Sequence, residues 1–299
     1  MEKLDAALQN TAELFGNTTA EKLMLIVQHP AKMFWRKIAV GIYHQQKTFI
    51  VKSRTFFGAR MYVTNYDPYL WFCGVFVAPT EVRLTKYLIK RIAENPSEVI
   101  FDVGAHHGFY SLLAHTVSGG AATIYAFEPS DFHFKVLMRN IGHQSHTKGV
   151  NAAVYSSEKP LTFFESERTV STADQAAVDE AKGGKVLYRT VTVPAITLDA
   201  FCAREGVVPT FLKIDVEGAE AAALEGARTL LRTHHPDLSL ECWGTSHVRE
   251  TNPVAILMSE GYAPFRITDT GDLTPIQGDV AQSIQGNDCE NIIFRYTRA

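Results

Sequence analysis

Short apolar runs alternate with amphipathic segments from residue 98 to the end of the chain. Uninterrupted apolar runs predict buried strands, and apolar residues spaced three or four positions apart predict helices. The predicted strands are 98–103, 122–129, 148–156, 210–216, 237–243, 262–268 and 290–297, and the predicted helices among them are 108–117, 130–142, 217–234 and 252–261. Apolar strands joined by helices form parallel sheets that are covered on both faces. The pattern therefore predicts an α/β fold with a doubly wound, mostly parallel sheet. The last two strands, which no long helix separates, are expected as an antiparallel edge pair.

A different pattern precedes this alternation. Residues 4–16 and 20–43 show helical spacing of apolar residues and predict two or three helices. Residues 47–53 and 59–67 alternate apolar and polar positions around a glycine, which predicts a short antiparallel hairpin. The front of the chain is therefore expected to be a small helical and hairpin region.

The chain divides into two predicted parts. A helix is expected to begin at Thr80, its predicted N-cap, and to end at Asn95 before a proline. We place a small N-terminal region at 1–79, a candidate substrate or partner region, and an α/β domain at 80–299. Within that domain, two β-like segments flank a long polar insertion near 165–190. Loops of this length are usually lids or disordered, so a lid and a disordered hairpin tip are the two readings of the insertion.

Composition and cysteine spacing narrow the class of protein. The 299 residues are 46% hydrophobic, which indicates a folded chain. Cys73, Cys202, Cys242 and Cys289 are far apart and form no CxxC pair, so they indicate neither a zinc knuckle nor a disulfide framework. No apolar run approaches the roughly 20 residues that cross a bilayer, and no secretory leader is recognisable. We therefore expect a cytoplasmic protein.

Basic and acidic residues are unevenly divided. Residues 1–98 carry 13 Lys and Arg against 8 Asp and Glu, whereas 99–299 carry 16 against 24. The stretch 22–66 holds eight basic residues, no acid and several aromatic residues. Such a stretch predicts either a solvated basic face or peripheral contact with an anionic membrane. We expect no nucleic acid partner.

The carboxyl ends of the predicted strands carry the candidate chemistry, because ligands of open parallel sheets bind there. Asp102 ends the first strand, and Gly104 and Gly108 allow a sharp turn into the next helix, whose free N–H groups face the crevice. Glu128 follows the second strand, where an acid accepts hydrogen bonds from a ribose diol. The Gly-x-x-x-Gly spacing differs from the GxGxxG loop that binds a pyrophosphate, which disfavours an NAD-dependent oxidoreductase.

Further acidic residues follow the later strands. Asp215 is expected at the middle of the crevice, with Glu241 and His247 at the end of the next strand. Glu217 and Glu220 are expected in the first turn of the following helix, where carboxylates interact favourably with the helix dipole. These positions make Asp215 the leading candidate for a chemical role.

A metal site is not expected. A divalent ion held by Asp215 and Glu241 is the alternative to hydrogen bonding by these two carboxylates. His106 and His107 are adjacent at a helix start, and such residues are expected to point to different sides. Neither pair is therefore assigned as a metal site.

These segments together resemble the FkbM family of S-adenosylmethionine-dependent methyltransferases. "FDVGAHHGFYS" resembles the glycine motif of that family, "AFEPSDFHFKVLMRNI" its ribose-binding segment and "VNAAV" its adenine-side strand. The most recognisable block is "ITLDAF…FLKIDVEGAEAAALEGA", followed by "PDLSLECW". The resemblance runs from about Thr80 to Ala299. His106 and His107 depart from it, because the family usually has Asn and an apolar residue there.

The resemblance implies a class I methyltransferase fold, which is Rossmann-like, with S-adenosyl-L-methionine as the cofactor. It implies that the cofactor lies beside Asp102, Gly104, Ala105, His106, Gly108, Glu128, Pro129, Asn151, Ala152, Ala153 and Asp215. It further implies methylation of a hydroxyl group on a small-molecule, sugar or glycan acceptor. An alcohol needs a general base, with Asp215 the first candidate and His247 and Glu241 behind it. The open alternative is a non-catalytic scaffold that uses its basic front as a membrane or partner surface.

Overall fold

An eight-stranded sheet organises the part of the chain that the computed structural model describes, which comprises residues 47–67, 70–71, 74–76, 78–167, 171–173, 188–244, 252–284 and 289–297. The strands are β1 (Ile50–Arg54), β2 (Arg60–Thr64), β3 (Val99–Val103), β4 (Thr123–Phe127), β5 (Thr147–Val150), β6 (Ala153–Val154), β7 (Leu161–Glu165), β8 (Arg189–Val193), β9 (Ala195–Ile196), β10 (Phe211–Ile214), β11 (Asp237–Trp243), β12 (Tyr262–Ile267), β13 (Leu273–Pro275) and β14 (Cys289–Tyr296). The helices are α1 (Pro79–Glu94), α2 (Phe109–Val117), α3 (Asp131–Ile141), α4 (Leu198–Glu205), α5 (Glu220–Glu225), α6 (Arg228–His234), α7 (Pro253–Ser259) and α8 (Val280–Ser283).

The large sheet has the strand order β13-β12-β14-β11-β10-β3-β4-β5. Neighbouring strands from β11 to β5 are parallel, whereas β14 runs antiparallel to both β11 and β12. This confirms the predicted doubly wound, mostly parallel α/β sheet with an antiparallel pair of C-terminal strands. The predicted pair is β12 and β14. Neither strand is at the edge of the sheet, because β14 lies between β12 and β11, and β13 pairs with the other side of β12. No sequence pattern predicts β13.

Side chains alternate across the sheet and build one apolar layer on each face. On β3, Ile100 packs in the layer of α1 to α3, and Phe101 packs in the layer of α4 to α8. On β10, Phe211 and Leu212 divide between the layers in the same way, and both are fully buried. Burial of a side chain of this size stabilises the fold by about 1.5–3 kcal/mol. Packing from both sides therefore fixes the strand ends that carry the site.

The predicted helix at 217–234 is divided in the structure. Gly226 ends α5, and a Cβ there would lie 2.1 Å from the carbonyl oxygen of Tyr155, so the two segments pass too close for a side chain. Glu217 precedes α5 with a φ of 52°, and the prediction that it lies in the first helical turn is wrong. Glu220 does lie in that turn, where its carboxylate accepts backbone N–H groups of the preceding loop.

The predicted N-cap of α1 is also wrong. Ala78 is the N-cap and Pro79 takes the first helical position, where its fixed φ suits the helix and its missing N–H has no cost. Thr80 instead contacts β14, because its Oγ1 accepts the backbone N–H of Asn291 at 2.7 Å. This contact brings the start of α1 to the edge of the sheet where the parallel strands end.

The predicted hairpin is present and joins the core. β1 and β2 pair antiparallel, and Met61 and Val63 of β2 are buried in the layer of α1 to α3. Asn140 of α3 exchanges two hydrogen bonds with the backbone of Tyr62, at 2.6 and 2.8 Å. The helices predicted before residue 47 lie outside the described residues. None of the described helices has the length and apolarity needed to span a bilayer.

The two predicted β-like segments around the polar insertion are also present. They are β7 and β8, which pair antiparallel. Most of the insertion between them, 168–170 and 174–187, lies outside the described residues. Thr172 forms a backbone bridge with Phe164, and its Oγ1 donates to the carbonyl oxygen of Glu217 at 2.6 Å. The insertion therefore contacts the loop that follows β10.

Candidate functional site

A cavity of about 340 Å³ opens at the carboxyl ends of β3, β4, β10 and β11. The loops after β3 and β10 touch at its floor. Gly104 has a φ of 81°, and a Cβ there would lie 1.7 Å from the backbone oxygen of Asp215. Only glycine combines this conformation with so close an approach. The cavity volume lies in the range of small-molecule sites, about 300–1,000 Å³.

Most residues of the predicted site meet around this cavity. Lining residues are Gly104, Ala105, His106, Glu128, Pro129, Ala152, Ala153, Asp215 and Glu241. Asp102, Gly108 and Asn151 do not line it, and His247 lies outside the described residues. The geometry thus brings the strand ends together, and the role of each residue stays a prediction.

Gly108 and Asn151 lie behind the cavity wall. Gly108 is the N-cap of α2, and a Cβ there would lie 2.6 Å from Cδ1 of Leu137 in α3. Asn151 turns its amide inward, and Nδ2 donates to the carbonyl oxygens of Glu128 at 2.9 Å and Pro129 at 3.2 Å. Both residues therefore shape the loops that carry lining residues.

Glu128 presents a buried carboxylate to the cavity just after β4. Its Oε1 accepts the N–H of Ser130 and its Oε2 accepts the N–H of His106, both at 2.9 Å. Burial raises the pKa of Glu128 to about 7, although these two N–H groups act in the opposite direction. A carboxylate oxygen can accept two hydrogen bonds, so each oxygen of Glu128 keeps one acceptor position for a ligand.

Lys213 is a buried cation at the cavity wall. Its Nζ lies 2.9 Å from Oδ2 of Asp215 and 3.9 Å from Oδ1 of Asp102. Burial alone would lower the pKa of Lys213, but the carboxylates of Asp215, Asp102 and Glu81 outweigh it and raise the pKa. Asp102 is itself buried, and its Oδ2 accepts the hydroxyl of Ser111 at 2.7 Å. Lys213 therefore stays charged and holds Asp215 in place.

Glu81 reaches the cavity from the start of α1. Its Oε2 accepts the hydroxyl of Tyr110 at 2.6 Å, and its Oε1 accepts Nδ2 of Asn291 at 2.7 Å. Desolvation and the carboxylate of Asp215 raise the pKa of Glu81. The start of a helix thus supplies an acid to the cavity wall.

Glu241 of β11 is partly buried and has no cation partner among the described residues. Desolvation, followed by the carboxylate of Asp215, raises its pKa to about 8, while the thiol of Cys289 donates a hydrogen bond that opposes this shift. Glu217 also lines the cavity, and desolvation with the charges of Asp215 and Glu241 raises its pKa well above the ordinary value. A carboxylate that titrates near neutral pH can take a proton from a substrate and release it again.

The adjacent histidines do not point to different sides, so that prediction is wrong. His106 has a φ of 49°, and this left-handed conformation stacks its ring on that of His107, with 3.7 Å between the ring centroids. His133 of α3 completes the group, with its ring centroid 4.3 Å from that of His106. Burial lowers the pKa of His106 and His133 to about 3. Burial lowers the pKa of His107 as well, so the surroundings favour the neutral form of all three rings.

Several lining residues were missed by sequence reasoning because they do not follow a strand. Asp67, Glu81, Tyr110 and His133 lie on helices or on the segment after the hairpin. Lys213 could have been predicted, because it lies inside an apolar strand and a buried lysine almost always has an anionic partner.

The strand order, with antiparallel β14 inserted beside β11 and a ligand cavity at the carboxyl edge, defines a class I methyltransferase fold, which is Rossmann-like. The sequence agrees with this class: residues 102–258, just over half of the chain, match the family model described as the methyltransferase FkbM domain. The chain belongs to the FkbM methyltransferase domain family, whose cofactor is S-adenosylmethionine.

Individual relatives are more distant. The chain is 27% identical over 169 residues to the 31-O-demethyl-FK506 methyltransferase FkbM of Streptomyces tacrolimicus, covering 47% of this chain and 63% of that protein. It is similar to a methyltransferase FkbM from Methylobacillus flagellatus, with 14% identity, a TM-score of 0.41, and coverage of 97% of this chain and 58% of that one. It is also similar to an O-methyltransferase from Bacillus cereus solved with SAH, with 12% identity, a TM-score of 0.39, and coverage of 74% and 83%. The chain thus spans less than two thirds of the length of the first two relatives.

Proposed function

We propose that this chain transfers the methyl group of S-adenosylmethionine to a hydroxyl group of a small-molecule, sugar or glycan acceptor. The observation that carries the proposal is the cavity at the carboxyl edge of the sheet, with the Glu128 carboxylate on one side and the partly buried Glu241 on the other. Family membership supports methyl transfer, and the cavity chemistry supports this cofactor and this type of acceptor.

The cavity fits the cofactor in two respects. The two acceptor positions left on Glu128 suit the two donors of a ribose diol, while Ala152 and Ala153 offer an apolar wall to an adenine. The lining is also rich in carboxylates, which suits a sulfonium cation. Acidic side chains at the wall are Asp67, Glu81, Glu128, Asp215, Glu217 and Glu241, against one lysine, Lys213.

Bound S-adenosylmethionine supplies an electrophilic methyl group on a sulfonium. When bound, it would give this methyl group to the acceptor oxygen, the electron pair of the S–C bond would stay on sulfur, and the hydroxyl proton would pass to a base of this chain. Positioning supplies much of the rate, because the acceptor oxygen must approach in line to roughly 3 Å. The walls formed by Asp215 and Glu217 after β10 would position the acceptor.

Glu241 is the best candidate for that base. Asp215, the first choice from the sequence, is ion-paired with Lys213 at 2.9 Å, so its Oδ2 is already held by a cation. Glu241 has no such partner among the described residues, and its pKa of about 8 lies near the working pH of a general base. Asp215 then acts as an electrostatic and positioning group beside the sulfonium.

A hydroxyl acceptor has support from the named relative. The Streptomyces tacrolimicus protein is, by its name, a methyltransferase for the 31-O position of demethyl-FK506. We propose the same kind of acceptor atom here, on a sugar, glycan or natural product.

The test is incubation of the chain with isotopically labelled S-adenosylmethionine and fractions of glycans, lipids and small metabolites from the producing cell. Mass spectrometry should find an oxygen-linked methyl gain with wild type and a gain lower by roughly 100-fold or more with Glu241→Gln; labelled methyl on nitrogen or carbon would contradict O-methylation.

Other features of the chain stay predictions. They are a substrate or partner role for residues 1–79, a lid at 165–190, peripheral contact of residues 22–66 with an anionic membrane, and a cytoplasmic location. The eight basic residues without an acid support the membrane contact. Cosedimentation with anionic liposomes should fall when Lys32, Arg36 and Lys37 are replaced by Gln, and unchanged cosedimentation would contradict this contact.

A further inference from the structure

Three histidine side chains converge at one end of the cavity. His106, His107 and His133 each offer a ring nitrogen, and these three atoms all lie within 4.8 Å of one another. All three residues line the cavity, and His107 and His133 are buried. In the described part of the chain, this is the one group of three or more potential metal-ligating side chains that meets so closely.

The outer nitrogens of two of these rings face oxygen atoms. Nε2 of His133 lies 2.8 Å from the carbonyl oxygen of Ser166, which can only accept a hydrogen bond, so Nε2 carries the proton. Nδ1 of His107 lies 3.0 Å from Oδ2 of Asp67. Two lone pairs would repel at that distance, so the proton of neutral His107 belongs on Nδ1. These proton positions follow from the neighbouring groups.

The inner nitrogens then face each other without a proton. Nε2 of His107 and Nδ1 of His133 are 3.0 Å apart, and in these tautomers each presents a lone pair to the other. Such an arrangement is repulsive unless a cation accepts both lone pairs. Two nitrogens at about this separation also match neighbouring ligands of one ion with metal–nitrogen distances of about 2.0–2.1 Å.

We propose that His106, His107 and His133 bind a divalent transition metal ion of the zinc type at the edge of the cavity. Imidazole nitrogens suit zinc, copper, nickel, cobalt and iron rather than magnesium or calcium. The carbonyl of Ser166 holds the outer nitrogen of His133, and the Asp67 carboxylate lies 3.0 Å from that of His107, the positions that outer partners of histidine ligands usually occupy. Three protein ligands leave a coordination position directed at the cavity, as in zinc sites that bind a water or a substrate.

The positions of these three histidines in the chain explain why the sequence did not predict a metal site. The adjacent pair His106 and His107 appeared unable to share an ion, and His133 lies 26 residues further along the chain than His107. The left-handed conformation of His106 and the start of α3 bring the three rings together. The expectation of no metal rested on helical geometry that this turn does not have.

The test uses the 299-residue chain, without an affinity tag, after dialysis against a chelator. Titration with Co²⁺ alone, followed by its visible absorption, should show saturable binding of one ion per chain, and added Zn²⁺ should displace it. His133→Gln should weaken binding at least about 100-fold, and Asp67→Asn about 10–100-fold, the range found for outer partners of metal ligands. His143→Gln, which replaces an exposed histidine after α3, is the matched control and should bind as wild type.

Circular dichroism shows whether His133→Gln is folded. His106→Gln provides a second test, because His106 is less deeply buried than the other two residues and its replacement keeps the contact between His107 and His133. Absence of saturable Co²⁺ binding by wild type would overturn the proposal, since a shared proton would then lie between the two rings. Undiminished affinity in folded His106→Gln and His133→Gln would overturn it as well. Because the readout involves no methyl transfer, its outcome is independent of the proposed function.

Discussion

Glu241→Gln removes a carboxylate whose ionisation is opposed by its surroundings in the folded protein. The groups that face it are the carboxylates of Asp215, Glu217, Glu220 and Glu81 and the thiol of Cys289. Desolvation and these negative charges raise the pKa of Glu241 from 4.5 to about 8. The substitution keeps the shape of the side chain and abolishes its titration.

The sign and size of the effect follow from linkage. Because the pKa of Glu241 is higher in the folded protein, the folded protein holds the proton more tightly than the unfolded chain. The free energy of unfolding therefore falls as pH rises from 4.5 to about 8 and is level above that. At about 1.4 kcal/mol per pKa unit, the loss has an upper limit of about 5 kcal/mol. Glu217 belongs to the same cluster and shares this titration. We therefore expect the free energies of unfolding of Glu241→Gln and wild type to differ by about 2–4 kcal/mol above pH 8.

The assay is urea unfolding at about pH 5 and about pH 8.5 with wild type, Glu241→Gln and the control Glu94→Gln, which replaces an exposed carboxyl at the end of α1. Glu241→Gln should match wild type near pH 5 and be more stable by the amount above near pH 8.5. The control should follow wild type at both pH values. Parallel pH dependence of wild type and Glu241→Gln would refute the raised pKa, and with it the choice of Glu241 as the base.

Three further predictions concern the same cavity. The methylation rate of wild type should rise through about pH 8 and level off above it, because Glu241 must be deprotonated to act as a base; Glu241→Gln should lack this rise in initial-rate assays, and an unchanged profile would exclude it as the base. Gly104→Ala should lower the free energy of unfolding by at least about 2 kcal/mol in urea, because its Cβ would collide with the backbone oxygen of Asp215 and its φ is positive; a variant as stable as wild type would contradict the close approach. Lys213→Met should destabilise the protein by about 3–5 kcal/mol, because it leaves Asp102 and Asp215 without their cation; a neutral effect in the same assay would show that the ion pairs contribute little.

The fold could be predicted largely from the sequence because its strands are buried on both faces. An apolar strand such as β3 or β10 leaves a clear signal, and parallel pairing brings the ends of such strands to one edge of the sheet. This is why Gly104, Glu128 and Asp215 could be predicted to lie near each other. β13 escaped prediction because its three residues, Leu273–Pro275, are partly or fully exposed and show no apolar pattern.

The remainder of the site could not be predicted because it depends on tertiary contacts. Glu81 reaches the cavity only because Thr80 ties the start of α1 to Asn291 of β14. The division of α5 from α6 depends on the close passage of Gly226 by Tyr155, which no local pattern records. Local periodicity predicts which face of an element is buried, but it does not predict which distant element covers that face.

Isothermal titration calorimetry of the 299-residue chain with S-adenosylmethionine tests the central claim most directly. Wild type should bind one equivalent, and Glu128→Ala should bind at least about tenfold more weakly, because it removes the charge-assisted hydrogen bonds to the ribose. Glu94→Ala, at the opposite end of α1 from Glu81, should bind as wild type. Absence of binding by wild type, or equal affinity of wild type and Glu128→Ala, would contradict the account.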